Sequence, residues 1–546
     1  MKHNITILFI IILLISVTAN ASAQKKPSGA DVITSEDLES HVSFLASPLL
    51  KGRMNGGPEL EIAQQYIVSN ARLLGLRPAN GTSFFQPYTV LEHSVDREKT
   101  MISVIPEGQD TINIMEAIVQ LFPRSPSDFI LDGEVVFAGY GLKNEKQNYN
   151  DFENISAEGK ILLVMTGTPL QEAGKKYPSE EGDRLLFWNT VRKTNTLMST
   201  KAKAILIVMD PKSGYTSIEG AYPGISGDLN SSKSLKGDKP RTFNFPGAAK
   251  IMFVNTAVAD ELLSGTGTSL AELQKKIDTA REPQSFAIPG KRLMIKEAVR
   301  SHELILNNVV AYIEGSDPVL RDEFIVYSSH TDHIGTSLGR INSGADDNAS
   351  GCAALLSIAE AFQSLEKKPL RSILFLWVSG EEIGLFGSKS YVRNPVVPLE
   401  KTVVDLNMDM IGRVKGIADS TSETPVTGPD EVFVITGNQS RELLSIAEEV
   451  DEGTDLDFDY SLSGRDHPLQ LFSRSDHFNF VVNDIPVLFF TTGLHSDYHS
   501  PGDVIEKLDF NKMERITKAM FRIGYIVADK KAKLKVNNPY SKWQKN

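Results

Sequence analysis

Cysteine is nearly missing from this chain of 546 residues: Cys352 is the single example. That excludes an intramolecular disulfide framework and any zinc site built on several thiolates, so a metal here has to be held by histidine and carboxylates. Cationic charge is also in deficit. Lysine and arginine number 57 against 69 acidic residues, a net charge of −12. Such a chain makes a poor phosphate-backbone binder, because that affinity comes from Lys and Arg displacing counterions. Long apolar runs are confined to the first twenty or so residues, and no later stretch reads as a membrane span. With 41% hydrophobic and 23% charged residues, the remainder has the balance of a globular protein of several domains.

The one apolar run, Ile5 to Val17, follows Lys2 and precedes small residues ending in Ala21-Ser22-Ala23. This is the layout of a secretory signal peptide, residues 1–23, and the run is shorter than the roughly 18 to 20 residues of a spanning helix. The expectation is an exported protein, periplasmic or extracellular, without an integral membrane segment after cleavage. Cys352 lies in the apolar stretch Ala349 to Ala361 and reads as buried.

Periodicity predicts helices between Thr34 and Leu74, with Leu38, Val42, Phe44 and Leu45 at roughly helical spacing. The glycine-rich loop Leu50 to Pro58 lacks the Lys-Ser/Thr ending of a phosphate loop, which argues against nucleotide binding there. Near Asp132 the texture turns to short β-rich runs (Glu134 to Ala138, Ile161 to Met165, Ala204 to Met209), read as a separate β-rich unit closed by a linker-like stretch from Ala280 to Arg292. From Asn308 strands and helices alternate. Strands are expected at Val309 to Ile313, Phe324 to Ser328, Ile373 to Val378, Val403 to Met408, Val432 to Thr436 and Val487 to Thr491. Helices are expected at Ser350 to Phe362, Arg441 to Val450 and Asn511 to Ala528. This pattern implies an α/β fold with a mostly parallel central sheet flanked by helices. The lysine-rich end after Asp529 reads as a solvated tail.

In such a sheet functional groups collect beyond the carboxyl ends of the strands. There the sequence places His330-Thr331-Asp332-His333, Gly380-Glu381-Glu382, Asp409 and the loop with Tyr498-His499, while Asp346-Asp347 directly precedes a helix. Each residue alone has a bland reading, since paired acids before a helix cap it and adjacent glutamates mark solvated loops. Together they form a histidine and carboxylate set suited to zinc. Chemistry alone leaves Asp346 against Asp347, and Glu381 against Glu382, open.

With these motifs, and with Gly344-Ala345-Asp346-Asp347-Asn348, Asp409-Met410-Ile411-Gly412, Ser475-Asp476-His477 and Tyr498-His499-Ser500-Pro501, the chain resembles the family M28 metallopeptidases. That resemblance covers residues from about 295 to the C-terminus, and the segment from about 34 to 128 is similar to the opening of the same domain. Gly133 to Gly141 and Gly159 to Val164 resemble a protease-associated (PA) domain. The implied organisation is a signal peptide at 1–23, an N-terminal peptidase part at 24–130, an inserted β-rich PA domain at 131–290 and the main peptidase part, carrying the catalytic site, at 291–546. The resemblance implies a zinc exopeptidase fold and two Zn(2+) ions. Asp347 bridges them, His330 and Asp409 complete one, and Glu382 and His499 the other. Glu381 is the general base, Tyr498 the oxyanion donor, and Asp332 orients His330 from the second shell. Arg474 helps to position substrate. His333, His467, His477 and His495 have no ligand role in the pattern and read as structural. The implied activity is an aminopeptidase acting on peptide substrates through a hydroxide shared by two ions. A glutaminyl cyclase-like acyltransferase with one zinc, or a receptor-like binding protein that has lost its metals, are the competing expectations. Metal stoichiometry and hydrolysis separate the three.

Overall fold

A computed structural model of the chain describes residues 29–545 apart from residues 109, 115–117, 122–127, 146–147, 170–192, 194–195, 222–230, 239–249, 338, 418 and 420–424. The expected signal peptide lies outside the described residues. Among them, no helix is long and apolar enough to cross a membrane.

Two sheets organise the molecule. The larger has ten strands, and its centre is the run Ser372–Val378, Phe324–His330, Thr402–Met408 and Val487–Thr491, all parallel. Every residue of these four strands except Phe324 is buried, as continuous apolar runs covered on both faces require. Outside this centre the pairing is antiparallel, except for Glu431–Thr436 with Asp457–Asp459 at one edge, which is parallel. Val299–Ile313, Phe85–Val95 and Ser231–Leu235 extend one side, and Glu431–Thr436 meets Val487–Thr491 on the other. The sheet is therefore mixed, a correction to the mostly parallel expectation. Direction is set by which edge a strand docks against, and side-chain periodicity carries no trace of it.

Helices cover both faces. Gly351–Ser364, Ser35–Leu45 and Phe510–Asp529 share one core with the sheet, into which Leu38, Val42, Cys352, Ile358, Met513 and Met520 are buried. Phe44 does not join that core. It is 38% exposed and stacks on Tyr66 at 4.1 Å.

The second sheet has eight strands, with Phe129–Phe137, Ile161–Met165, Ala204–Val208 and Lys250–Val254 parallel at its middle. It starts before the boundary expected at 131, because Met101–Pro106 pairs with Phe286–Glu297 inside it. The linker-like stretch from Ala280 is largely strand as well. Its Pro289-Gly290 pair falls where the register shifts between Ala287 and Arg292, so the sheet absorbs the breakers as an irregularity. From this body Ser231–Leu235 returns to the edge of the larger sheet, and Asp238 then pairs with Lys389 at 2.5 Å and Arg393 at 2.6 Å on the helix Phe386–Arg393.

The lysine-rich end is docked, a further correction. Leu534 is buried in the larger core, Asn537 N–H donates to Gln439 O at 2.7 Å, and Trp543 packs on Phe472 with ring centroids 5.9 Å apart. Two apolar anchors and a main-chain hydrogen bond, spread through a charged run, are enough to hold it.

Candidate metal centre

The carboxyl ends of the parallel strands deliver their ligand-type residues to one place. His330 ends the strand Phe324–His330, Glu381 and Glu382 follow Ser372–Val378, and Asp409 follows Thr402–Met408. Asp347 comes from the turn that opens the helix Gly351–Ser364, and His499 from the loop after Val487–Thr491.

Asp347 faces two groups at once. Its Oδ1 lies 3.3 Å from His330 Nε2, which lies 3.2 Å from Asp409 Oδ1. Its Oδ2 lies 3.2 Å from His499 Nε2, which lies 2.9 Å from Glu382 Oε2. Two clusters with metal-ligand spacing result, His330–Asp347–Asp409 and His333–Asp347–Glu382–His499. For four-coordinate zinc with bonds of ~2.0–2.1 Å, neighbouring donors stand about 3.3 Å apart. The donor set and its spacing fit that ion. Glu381 belongs to neither cluster.

The supporting shell was only partly foreseen. His330 Nδ1 meets the main-chain oxygen of Asp332 at 3.1 Å, while the Asp332 carboxylate stands 3.8 Å away. That carboxylate instead accepts from Asn55 Nδ2 at 2.6 Å and from the main-chain N–H groups of Glu381 and Glu382 at 3.3 and 3.2 Å, so it sets the loop carrying both glutamates. Ser475 Oγ donates to Asp409 Oδ2 at 2.8 Å and accepts from Asn407 Nδ2 at 2.9 Å, and Asn407 Oδ1 accepts from Ser328 Oγ at 2.9 Å. Asp503 accepts from Asp346 N–H and Asp347 N–H at 3.0 and 3.1 Å. Asp346 itself points away from both clusters, accepting from Gly412 N–H at 2.6 Å.

Arg53 is the largest surprise. Its side chain is buried, and its guanidinium donates to Thr331 O, Leu45 O, Ser343 O, Gly344 O and Asp347 O. One residue of the glycine-rich loop thus ties together the segments after His330 and before Asp347. The only sequence signal was a charged residue inside a Gly-rich turn.

Electrostatics follow from burial of many carboxylates together. Burial disfavours charge on His330, but the charges of Asp409 and Glu381 and hydrogen bonds to Asp347 and Asp409 outweigh it and hold the imidazole well above its usual range. His499 is pushed up to about 10 against its own burial, chiefly by Glu382 and Asp347. Burial and the Asp347 charge act to raise Glu382, yet His499 and His333 hold it at about 2. Glu381 is pushed well above an ordinary carboxyl, first by burial and then by Glu382 and Asp409 against the pull of His330.

At the rim, Tyr498 stacks on His499 with centroids 3.8 Å apart, and its Oη accepts from Arg474 Nη2 at 3.4 Å. Burial keeps the Tyr498 phenol protonated. His477 is neutral, pushed down to about 3 by burial, and bonds Phe472 O at 3.0 Å. His333, expected to be structural, lies inside the second cluster.

Residues 308–523 match the family model described as peptidase family M28. Leucine aminopeptidase 1 of Trichophyton equinum is 28% identical over 236 residues, 41% of this chain and 58% of that protein. Leupeptin-inactivating enzyme 1 of Streptomyces exfoliatus is 37% identical over 106 residues, 19% of this chain and 22% of that protein. The chain thus spans a little over half the length of the first of these relatives. Among solved structures, a zinc aminopeptidase from Bacillus subtilis covers 92% of this chain and 97% of its own, at 17% identity and a TM-score of 0.50, a likeness of fold.

Proposed function

We propose that the chain is an M28 aminopeptidase-like protein, and that it is an exported two-zinc exopeptidase removing residues from the amino ends of peptides. The observation carrying this reading is the double engagement of Asp347, one carboxylate oxygen toward each cluster. In it His330 and Asp409 hold one zinc, Glu382 and His499 the other, and Asp347 both. Zinc so held supplies Lewis acidity and lowers the pKa of water toward 7. Glu381, outside both clusters, takes the proton of the attacking water and gives it to the leaving amine nitrogen. Its position is set by the hydrogen bond from its own N–H to Asp332. Tyr498 donates its hydroxyl hydrogen to the carbonyl oxygen as negative charge develops there, and Arg474 steadies the phenol.

The proposed direction is that named for the leucine aminopeptidase relatives; the two zinc ions would neutralise the charge of Asp347, Glu382 and Asp409, so these carboxylates do not by themselves select the α-amine. We assign the second sheet to a PA-type domain serving as a lid, a wall or a spacer, tied to the larger sheet through Ser231–Leu235 and Asp238. The test is one peptide with its N-terminus free or acetylated, incubated with zinc-loaded protein and followed by mass spectrometry. Stepwise loss from the free amino end, blocked by acetylation, is expected. Shortening from the carboxyl end in both peptides overturns the direction, and no hydrolysis of either overturns the activity.

A further inference from the structure

His333 is fully buried, and its Nδ1 lies 2.8 Å from Glu382 Oε1, within hydrogen-bonding geometry. The other oxygen of that carboxylate, Oε2, is the one that faces His499 at 2.9 Å. Asp409 is divided in the same way: Oδ1 faces His330 at 3.2 Å, and Oδ2 accepts from Ser475 Oγ at 2.8 Å. Each of these two carboxylates therefore turns one oxygen to a histidine of the expected ligand set and has the other held by a further side chain, and His333 Nδ1 also stands 3.6 Å from Asp347 Oδ2. The far nitrogen of His333, Nε2, is buried without a hydrogen-bond partner, with the ring packed so tightly on Gly344 that a Cβ there would stand 2.6 Å from it. A bare ring nitrogen tolerates that setting better than an N–H, so the proton belongs on Nδ1. With its proton there, Nδ1 donates to Glu382 and has no lone pair for a metal. The backbone that carries the ring is tied to the glycine-rich loop, since the main-chain N–H of His333 donates to the main-chain oxygen of Arg53 at 3.2 Å.

We propose that His333 is a positioning residue that holds Glu382 Oε1 and so presents Glu382 to the second metal through Oε2 alone. The inference rests on the two-zinc reading. Its test is zinc titration of the metal-depleted full chain against a chromophoric chelator, for wild type, His333→Ala, His333→Asn and His333→Gln, with zinc-edge X-ray absorption on the loaded proteins. One of the two zinc affinities should fall ~10- to 100-fold in His333→Ala, the range for lost outer-shell partners, while the other stays. Asn, whose amide nitrogen sits where Nδ1 does, should restore it, and Gln, which reaches the Nε2 position, should not. The imidazole count should be two per protein in wild type and in His333→Asn. Unchanged affinities in His333→Ala, rescue by Gln in place of Asn, or a third imidazole that vanishes in His333→Asn each overturn the proposal, the last by making His333 a direct ligand. Wild-type protein that takes up fewer than two zinc ions overturns the two-zinc reading itself and this inference with it.

Discussion

Lowering the pH from 8 to 6 should strip metal from this protein by proton competition, and the structure sets how steeply. A histidine must be neutral to ligate. In the metal-free site His499 is pushed up to about 10 and His330 well above its ordinary range, because the carboxylates that each ring faces outweigh the burial that disfavours its charge. Both rings are thus protonated throughout the window. Asp347 and Glu382 are ionised across it, Asp347 lying well below the usual carboxylate range and Glu382 at about 2, so they release nothing. Loading both sites should expel at least two protons, one for each cluster. Each proton makes the corresponding affinity tenfold weaker per pH unit, about 1.4 kcal/mol. Over two units every ion loses ~100-fold in affinity, about 2.7 kcal/mol. At pH 7 the proton on His499 alone opposes metal binding by about 4 kcal/mol, from a pKa of about 10. Calorimetric zinc titrations in two buffers of different ionisation enthalpy count the protons directly. Release of fewer than one proton in total, or an affinity flat between pH 6 and 8, would show that the imidazoles are neutral in the empty site and that the electrostatic account is wrong.

The raised His499 stabilises the metal-free fold fully below about pH 6.5 and loses that contribution as pH rises through about 10. The melting temperature of metal-depleted protein should therefore decline from pH 7 to 10, a trend that differential scanning calorimetry reads. Glu381→Gln should keep both metals by elemental analysis yet lower kcat by ~10²–10⁴-fold, the usual cost of losing a general base; loss of metal instead would exchange the roles of Glu381 and Glu382. Ser475→Ala should weaken one zinc by ~10- to 100-fold in a chelator competition, because Asp409 Oδ2 loses its donor. Arg53→Lys retains the charge but has three N–H bonds for the five carbonyl partners of Arg53. At least two charge-assisted bonds go, and the urea midpoint should report a loss of about 3 kcal/mol at ~1.5 kcal/mol each.

Much of the α/β framework was legible because its signal is local. Val487–Thr491 lies where the apolar run places it, and Ser372–Val378 and Thr402–Met408 extend their expected runs by one residue each. The ligand-type residues were legible for a related reason: in a parallel sheet, groups immediately after consecutive strands converge whatever the intervening loops do. Strand direction was not legible, and neither was Phe85–Val95, whose half-buried pattern depends on the strands it lies between. The docked C-terminus was missed because Leu534, Tyr540 and Trp543 are too widely spaced to form a periodic signal.

The residues hardest to foresee are those that act through another residue's backbone or unused oxygen. Arg53, Asn55 and the Leu50 to Pro58 loop lie about 280 residues from the ligands they serve, and the second sheet separates them in sequence. Yet Asn55 sets Asp332, Asp332 sets the N–H groups of Glu381 and Glu382, and Arg53 grips the carbonyls on either side of the first cluster. These contacts bring the loop to the ligands although the strands of the second sheet lie between them in sequence. The insertion enters after Phe85–Val95 and leaves at Val299–Ile313, and these two strands pair with each other from Val299 opposite Val95 to Val309 opposite Phe85. One long ladder closes the chain across the mouth of this excursion, and the strand Ser231–Leu235, with Asp238 paired to Lys389 and Arg393, ties the second body back to the larger sheet. Site geometry then depends on that ladder, on Arg53, and on the Asp238 pairs to the helix that follows the loop of Glu381 and Glu382.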